Sequence, residues 1–437
     1  MSAPTSIPGP VPVYEDYSRC VHCGLCLNAC PTYRLWNLEA DSPRGRIRQM
    51  FHVFQGQPAG GTQPDTPLAD SFVDHIDKCL DCRACESACP SGVEYGKLVE
   101  HARARIERDY PRSWLARVTR NFVFRDFLST PHMIQDAARL LRLYQRTGLQ
   151  AIARGIGILK LLGLAERERL LPRIDNEFFF NRLGQTFPPA GQRRARVAFF
   201  AGCIANVTFS DLNEATVRVL SANGCEVVVP TEQSCCGALS AHAGYRDAAR
   251  ELARANLCAF RLEDFDAIVT NAAGCGSTLK EYDHLFSPEE PEHAQARAFG
   301  AKTRDVTEFL ASLGLTAKLH PLRQRVTYQD SCHLLHGQKI REAPRTLLRA
   351  IPGLDLVELP YSEICCGSAG TYNVTQTETA LQLLADKMGH AKSTGAQTIV
   401  TANPGCLLQL RAGVALHRTG QDVLHVIELL DRAMAHA

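Results

Sequence analysis

The chain has 437 residues, enough for two or three domains and a sizeable core. A net charge of +2 with 22% charged residues excludes a nucleic-acid coat and a disordered polymer, so no nucleic-acid partner is expected. The unusual count is 18 cysteines; the opening "MSAPTSIPGPVPVYEDYS" lacks the pattern of a signal peptide, and a chain this long needs no disulfide framework, so a reducing, cytoplasmic compartment is expected.

The first element in chain order is "CVHCGLCLNAC" followed by Pro31, and "CLDCRACESACP" repeats its spacing from Cys79 to Pro90. Structural zinc takes two separated CxxC pairs, and CxxCxxC crowds too many thiols for that. Three cysteines at intervals of three suit three corners of an iron–sulfur cube, with a distant thiolate for the fourth. Both runs match CxxCxxCxxxCP, the two-cluster pattern in which the last cysteine serves the other cluster. Two [4Fe-4S] clusters are therefore expected. The first would take Cys20, Cys23, Cys26 and Cys89, and the second Cys79, Cys82, Cys85 and Cys30, within a helical ferredoxin-like domain over 1–110.

Forty-eight residues separate the runs. Residues 54–70, rich in Gly and Pro, are expected as a surface loop. In "DSPRGRIRQM" before it, Arg44, Arg46 and Arg48 either lie near a cluster, where a cation favours the reduced state, or form a solvated basic helix start.

A basic helical connector is expected over 111–195. Between Arg112 and Arg182 there are thirteen Lys or Arg and six Asp or Glu, and leucines at 140, 141, 143, 159, 161 and 162 suggest amphipathic helices. Such a segment could lie on a membrane surface, dock a partner, or pack on its own protein. The most apolar run, "GIGILKLLGLA" at 155–165, is short and contains Lys160, so no transmembrane helix is expected.

The remainder is an internal repeat, placed at 196–320 and 321–437. "VAFFAGC", "CEVVVP", "SCCG" and "DAIVTNAAGC" recur as "VTYQDSC", "LDLVELP", "ICCG" and "QTIVTANPGC". Register holds within one residue: Cys203 to Cys235 is 32 positions and Cys332 to Cys365 is 33. Short β-branched runs alternate with helical stretches, such as 245–262 with an apolar stripe at Tyr245, Ala248, Leu252, Ala255, Ala259 and Leu262. That alternation implies parallel sheets with helices packed on them, an α/β repeat in a chain that is α+β overall. Cys203, Cys275, Cys332 and Cys406 then fall in loops at the carboxyl edges of strands, where such sheets place their sites. Cys203, Cys235, Cys236 and Cys275 form one candidate cluster or redox centre, and Cys332, Cys365, Cys366 and Cys406 another. The side chains of adjacent cysteines are expected to diverge, which disfavours a simple cube. Cys225 and Cys258 have no counterpart in the second copy and are expected in the core. His333 and His336 are expected as structural histidines, with proton transfer near the second quartet as the alternative.

No strand–GxGxxG–helix unit, Walker loop or Ser-His-Asp context is visible, so a flavin or nicotinamide is expected on another chain.

The doubled cysteine run, "PRGR", "CPSGVEYG" and the two CCG repeats ending in "NAAGC" and "NPGC" resemble the iron–sulfur subunit family of bacterial glycolate oxidase. The likeness runs from about Cys20 onward and is weakest between 110 and 195. Anaerobic glycerol-3-phosphate dehydrogenase has a subunit of similar architecture, and lactate-utilisation iron–sulfur proteins and heterodisulfide reductases are similar too. The resemblance implies an electron-transfer subunit without catalytic residues, beside FAD-carrying flavoprotein subunits that oxidise a 2-hydroxy acid. It further implies a membrane acceptor such as quinone, reached from the cytoplasmic face of the inner membrane. Heterodisulfide reductases end the motif in CxxC and bind a non-cubane cluster. Here Thr278 and Gln409 replace that last cysteine, which puts a heterodisulfide-type reaction in doubt.

Overall fold

Proline fixes the backbone for a helix start without needing its missing N–H, and Pro31 and Pro43 each occupy a first helical position, in Pro31–Trp36 and Pro43–Gln55. A computed structural model describes residues 7–55 and 67–434 of the chain; most of the loop expected at 54–70 lies outside the described residues. Pro43–Gln55 packs against Tyr95–Asp109 and Asp70–Asp77, burying Ile47, Met50, Phe72, Ile76, Leu98 and Val99 in a small core that both cysteine runs border. No strand precedes Thr186 among the described residues. The connector runs through helices Trp114–Asn121, Pro131–Arg146, Leu149–Gly155, Ile158–Leu161 and Ala165–Arg169. No helix among the described residues is long and apolar enough to cross a membrane.

The β-branched runs of the repeat become strands; Ala267–Thr270 and Thr398–Thr401, inside their sheets, are wholly buried, while Asp355–Glu358 at an edge has no fully buried residue. The first sheet contains β1 (Thr186–Phe187), β2 (Ala195–Phe199), β3 (Cys225–Val228), β4 (Ala267–Thr270) and β5 (Thr303–Asp305) in the order β1-β3-β2-β4-β5. Only β1, an edge strand from the connector, is antiparallel to its neighbour. The second contains β6 (Arg325–Tyr328), β7 (Asp355–Glu358), β8 (Thr398–Thr401) and β9 (Asp422–His425) in the order β7-β6-β8-β9, all parallel. Setting β1 aside, the two orders are the same, so the sequence repeat is a repeat of topology.

One hydrophobic core runs through both halves, with Val197, Phe199 and Val269 from the first and Val326, Tyr328 and Ile399 from the second all fully buried. Each such side chain contributes about 1.5–3 kcal/mol. Helix Ser210–Ala222 packs on Val426–Met434, and Val306–Leu313 on Glu342–Arg349, locking the halves together. The expected stripe on 245–262 is corrected in detail. The helix is Arg246–Ala259, and its buried side carries Ala248, Ala249, Leu252, Ala253, Asn256 and Leu257, while Ala255 faces solvent. Cys225 is buried as expected, but Cys258 is exposed, because it falls on the outer side of that same helix.

Beneath the second sheet, Arg345 forks onto Asp330 at 2.8 and 2.9 Å and reaches Glu358 at 3.0 Å, with both Arg345 and Asp330 buried. Ser362 donates to Asp330 at 2.7 Å. This cage fixes the turn leading to Cys332. Removing one partner of a buried pair strands the other charge, so Arg345→Ala is expected to cost about 3–5 kcal/mol, read from urea denaturation of the metal-free chain; a loss under about 1 kcal/mol would show that the pair behaves as a surface contact.

Candidate functional site

A cysteine loop can aim three sulfurs at one point only if its backbone rolls. In the first run His22 (φ 55°) and Gly24 (φ 85°) take left-handed conformations; in the second Asp81 (φ 53°) and Arg83 (φ 59°) do so at the corresponding positions. Left-handed backbone costs a residue with a Cβ about 1–2 kcal/mol. In the second run ion pairs offset that cost: Arg83 Nη1 lies 2.6 Å from both carboxylate oxygens of Glu281, far along the chain. Gly24 is needed for space as well, since a Cβ there would lie 2.9 Å from Arg44 Nη1.

The rolled loops bring together the expected sets. Cys20, Cys23, Cys26 and Cys89 line one small cavity, and Cys30, Cys79, Cys82 and Cys85 line a second, with Cys85 touching both. Each cavity therefore takes three thiols from one run and its remainder from the other, Cys89 with Cys85 in the first and Cys30 in the second. Burial pushes Cys26 up to about 11 and puts Cys82 and Cys85 well above the usual thiol range. These sulfurs carry charge only when a positive centre compensates them, so the donor set fits an iron–sulfur cluster in each cavity.

The three arginines of "PRGRIR" separate. Arg44 lines the first cavity, donating to Glu39 at 2.7 Å and to the His22 carbonyl at 3.0 Å. Arg46 is wholly buried beside the second, donating to the Asp41 carbonyl at 2.6 Å and the His75 carbonyl at 2.7 Å. Arg48 is exposed.

All eight cysteines of the two quartets follow strands at their carboxyl edges, but not all in loops: Cys275 and Cys406 sit in the first turns of helices Ala273–Lys280 and Pro404–His417. The expectation that adjacent cysteines diverge fails. Cys235 and Cys236 lie in a turn, not a strand, so side-chain alternation does not apply. Their thiols touch each other and reach Cys203 and Cys275, with Cys203 to Cys235 at 3.3 Å. In the second quartet Cys366 bridges Cys365 and Cys406, and Cys332 to Cys365 is 4.0 Å. The glycine of each CCG makes this possible. Gly237 (φ 82°) and Gly367 (φ 89°) are left-handed and pressed on the following helix, where a Cβ at 367 would meet the Ala380 carbonyl at 2.7 Å. Contact with Cys235 and then burial pushes Cys203 well up, contact with Cys235 and Cys275 and then burial does the same to Cys236, and contact with Cys203 and Cys236 pulls Cys235 well down.

Both quartets open on one cavity of about 450 Å³ between the two halves. Asn403 beside Cys406 accepts from the Gly274 N–H beside Cys275 at 3.2 Å, so the two strand edges face each other. The second small cavity abuts the same region, since Cys82 and Cys365 belong to one buried cluster with Leu80, Ala84 and Tyr372. Thr278 and Gln409 offer no replacement ligand: Thr278 Oγ1 donates to the Gly274 carbonyl, and buried Gln409 donates to the Ala380 carbonyl.

Besides His333 and His336, residues with no local signal in the sequence meet at this seam. His333 Nε2 donates to the Asp81 carbonyl at 2.9 Å while its buried Nδ1 has no partner among the described residues, and His336 bonds Ser87 and the Glu363 carbonyl. Tyr372 donates to the Lys78 carbonyl at 2.9 Å. His242 Nδ1 lies 2.9 Å from Glu100 and 3.1 Å from Asp81. These three could hold a cation, but Arg83 and Arg103 approach the same carboxylates within 4 Å, which makes the set an ion network.

Three family models match the chain: a 4Fe-4S dicluster domain over 16–93, the linker region of the glycolate oxidase iron–sulfur subunit over 115–171, and a cysteine-rich domain twice, over 197–280 and 326–411. The probable glycolate oxidase iron–sulfur subunit of Bacillus subtilis is 40% identical over 96% of this chain and 94% of its own length. The chain belongs to the glycolate oxidase iron–sulfur subunit family. The family member of Escherichia coli is 33% identical over 95% of this chain and 93% of its own length. A fumarate reductase (CoM/CoB) subunit of Methanothermobacter marburgensis is 35% identical over 55% of this chain and 46% of its own. The linker match falls where the likeness to the family was expected to be weakest. This chain is thus an iron–sulfur protein of that family, with its cysteine-rich domain duplicated.

Burial alone would lower the His242 pKa, but Asp81 and Glu100 raise it to about 9. A group with a raised folded pKa contributes its full stability below about 6.5 and loses it as pH rises through 9. The metal-free chain is therefore expected to melt at falling temperature over that window, with a smaller fall in His242→Gln; an equal fall in the variant would assign the pH dependence elsewhere.

Proposed function

We propose that the chain is the electron-transfer subunit of a flavin-dependent 2-hydroxy-acid dehydrogenase complex, with glycolate as the acid. Partner flavoprotein subunits carry FAD and oxidise the acid, and electrons leave through this chain to a membrane acceptor, quinone. The observation that carries the reading is the unbroken series of sulfur sites through the fold. Cys85 borders both small cavities, Cys82 abuts Cys365, and the quartet holding Cys365 shares its cavity with the quartet holding Cys203. Family membership supports the same role.

When bound, iron–sulfur clusters supply one-electron carriage, which matches a flavin that receives two electrons at once. The residues supply the rest. Cys20, Cys23, Cys26 and Cys89 hold the first cluster, and Cys79, Cys82, Cys85 and Cys30 the second. The two quartets of the repeat are further cluster sites. Arg44 and Arg46 place positive charge beside the first and second cavities and favour the reduced state there. Leu80, Ala84 and Tyr372 exclude water between Cys82 and Cys365. No side chain of this chain is assigned a role on the acid.

The shared cavity supports a second reading, a thiol or disulfide reductase with the CCG quartets as active site. It requires that the reduced, isolated chain turn over a disulfide and that Cys236→Ser or Cys366→Ser abolish this.

Anaerobic purification of the native complex is expected to recover flavoprotein subunits with this chain, and glycolate is expected to reduce its clusters only when they are present. Zinc in place of iron and sulfide, or recovery without any flavoprotein, would sink the proposal. Crosswise ligation has its own check: Cys89→Ser is expected to perturb the cluster of the first run and spare that of the second in electron paramagnetic resonance. The opposite pattern would assign Cys89 to its own run.

A further inference from the structure

The connector turns an apolar face outward. In helix Leu149–Gly155, Gln150 and Arg154 both reach Glu168 of Ala165–Arg169, at 2.7 Å and 2.9 Å, and Glu168 is buried. With 3.6 residues per turn, those anchors lie on nearly the opposite side from Leu149, Ile152 and Ile156. The polar side is therefore held inward and the apolar side faces out, the reverse of an ordinary surface helix. Leu149, Ile152 and Ile156 are 51%, 56% and 69% exposed, and Leu161 and Leu162 in the next turn are 86% and 60% exposed. Gly157 (φ 74°) and Gly163 (φ 65°) break "GIGILKLLGLA" into a single turn, so it cannot span a bilayer, but it presents its leucines as a blunt tip.

The stretch that carries this face is also cationic. Arg146, Lys160, Arg167 and Arg173 are exposed and have no ion-pair partner among the described residues. Exposed aliphatic side chains and unpaired cations on one segment complement a bilayer bearing anionic headgroups: the leucines enter the boundary of the acyl chains and the cations meet phosphate. Because Glu168 already fixes the turns in place, docking does not require them to fold. We propose that this face, residues 146–173, seats the protein on an anionic membrane surface.

The position of the face has a consequence for electron delivery, one that rests on the relay reading above. Arg167, Leu170, Leu171 and Pro172, which follow directly from the tip, line the cavity onto which both quartets open. A docked molecule holds that cavity close to the bilayer, where a lipid-dissolved acceptor can be served.

The test is sedimentation of the cluster-loaded full chain with vesicles of phosphatidylcholine alone or doped with phosphatidylglycerol. Capture is expected only on the doped vesicles and weakens with added salt. Leu161→Asp with Leu162→Asp is expected to lower the vesicle affinity about tenfold or more, Lys160→Gln about fivefold, and Arg341→Glu, far from this face in sequence, not at all. Equal capture on both vesicles, no capture, or undiminished capture of the double variant would overturn the proposal. So would a double variant that keeps the vesicles and loses the flavoprotein subunits, since the face would then belong to a protein partner. Cluster reduction by glycolate in the same complex reads the relay separately, so the two proposals stand or fall apart.

Discussion

Sulfur atoms gathered away from water are the constraint on which this structure depends. Burial disfavours the charged thiolate, and neighbouring thiolates repel, so a site of four buried sulfurs is unfavourable until a cation joins it. The backbone is shaped to make such sites: His22, Asp81 and Arg83 take left-handed conformations in the two N-terminal runs, and a glycine does so without steric cost after each adjacent pair in the repeat. Strain accepted in both N-terminal loops marks a fold organised around what the sulfurs hold.

The second organising feature is the seam between the helical N-terminal part and the duplicated sheets. Asp81 and Arg83, the residues that roll the second cysteine loop, are also those that reach across the seam, to His242 and His333 and to Glu281. Local strain at the ligand loop and long-range attachment of the two parts are thus carried by the same side chains. Burial works against the Asp81 carboxylate, yet His242, Arg103 and Arg83 hold it well below the usual carboxylate range. The loop cannot relax without loosening the contact that brings Cys82 to Cys365.

Duplication gives the repeat its other property. Two sheets with the same strand order, packed through one core, bring their carboxyl edges face to face, and the two quartets become walls of one cavity. A single copy would present its quartet to solvent. The connector then closes part of the same cavity with Leu170 and Leu171, so the segment with the least evident chemistry helps shape the site.

The sequence alone picked out the cysteine sets that the fold brings together. Spacing of two or three residues between cysteines, a proline after each run, and a repeat kept in register are local facts, and covalent geometry limits what a short loop can do with them. It also determined the alternation of strand and helix, because burial on both faces marks the central strands with continuous apolar runs. It misjudged Cys235 with Cys236 and Cys258, where the outcome hinges on one dihedral or on which side of a helix meets the core. Only the tertiary structure decided that Arg46 and not Arg48 sits beside a cysteine-lined cavity, that Cys82 meets Cys365, and that Ile152 and Leu161 face outward. Those contacts join positions tens to hundreds of residues apart, and they arise from how finished elements pack, a balance of buried area and paired charge that no short stretch of chain encodes.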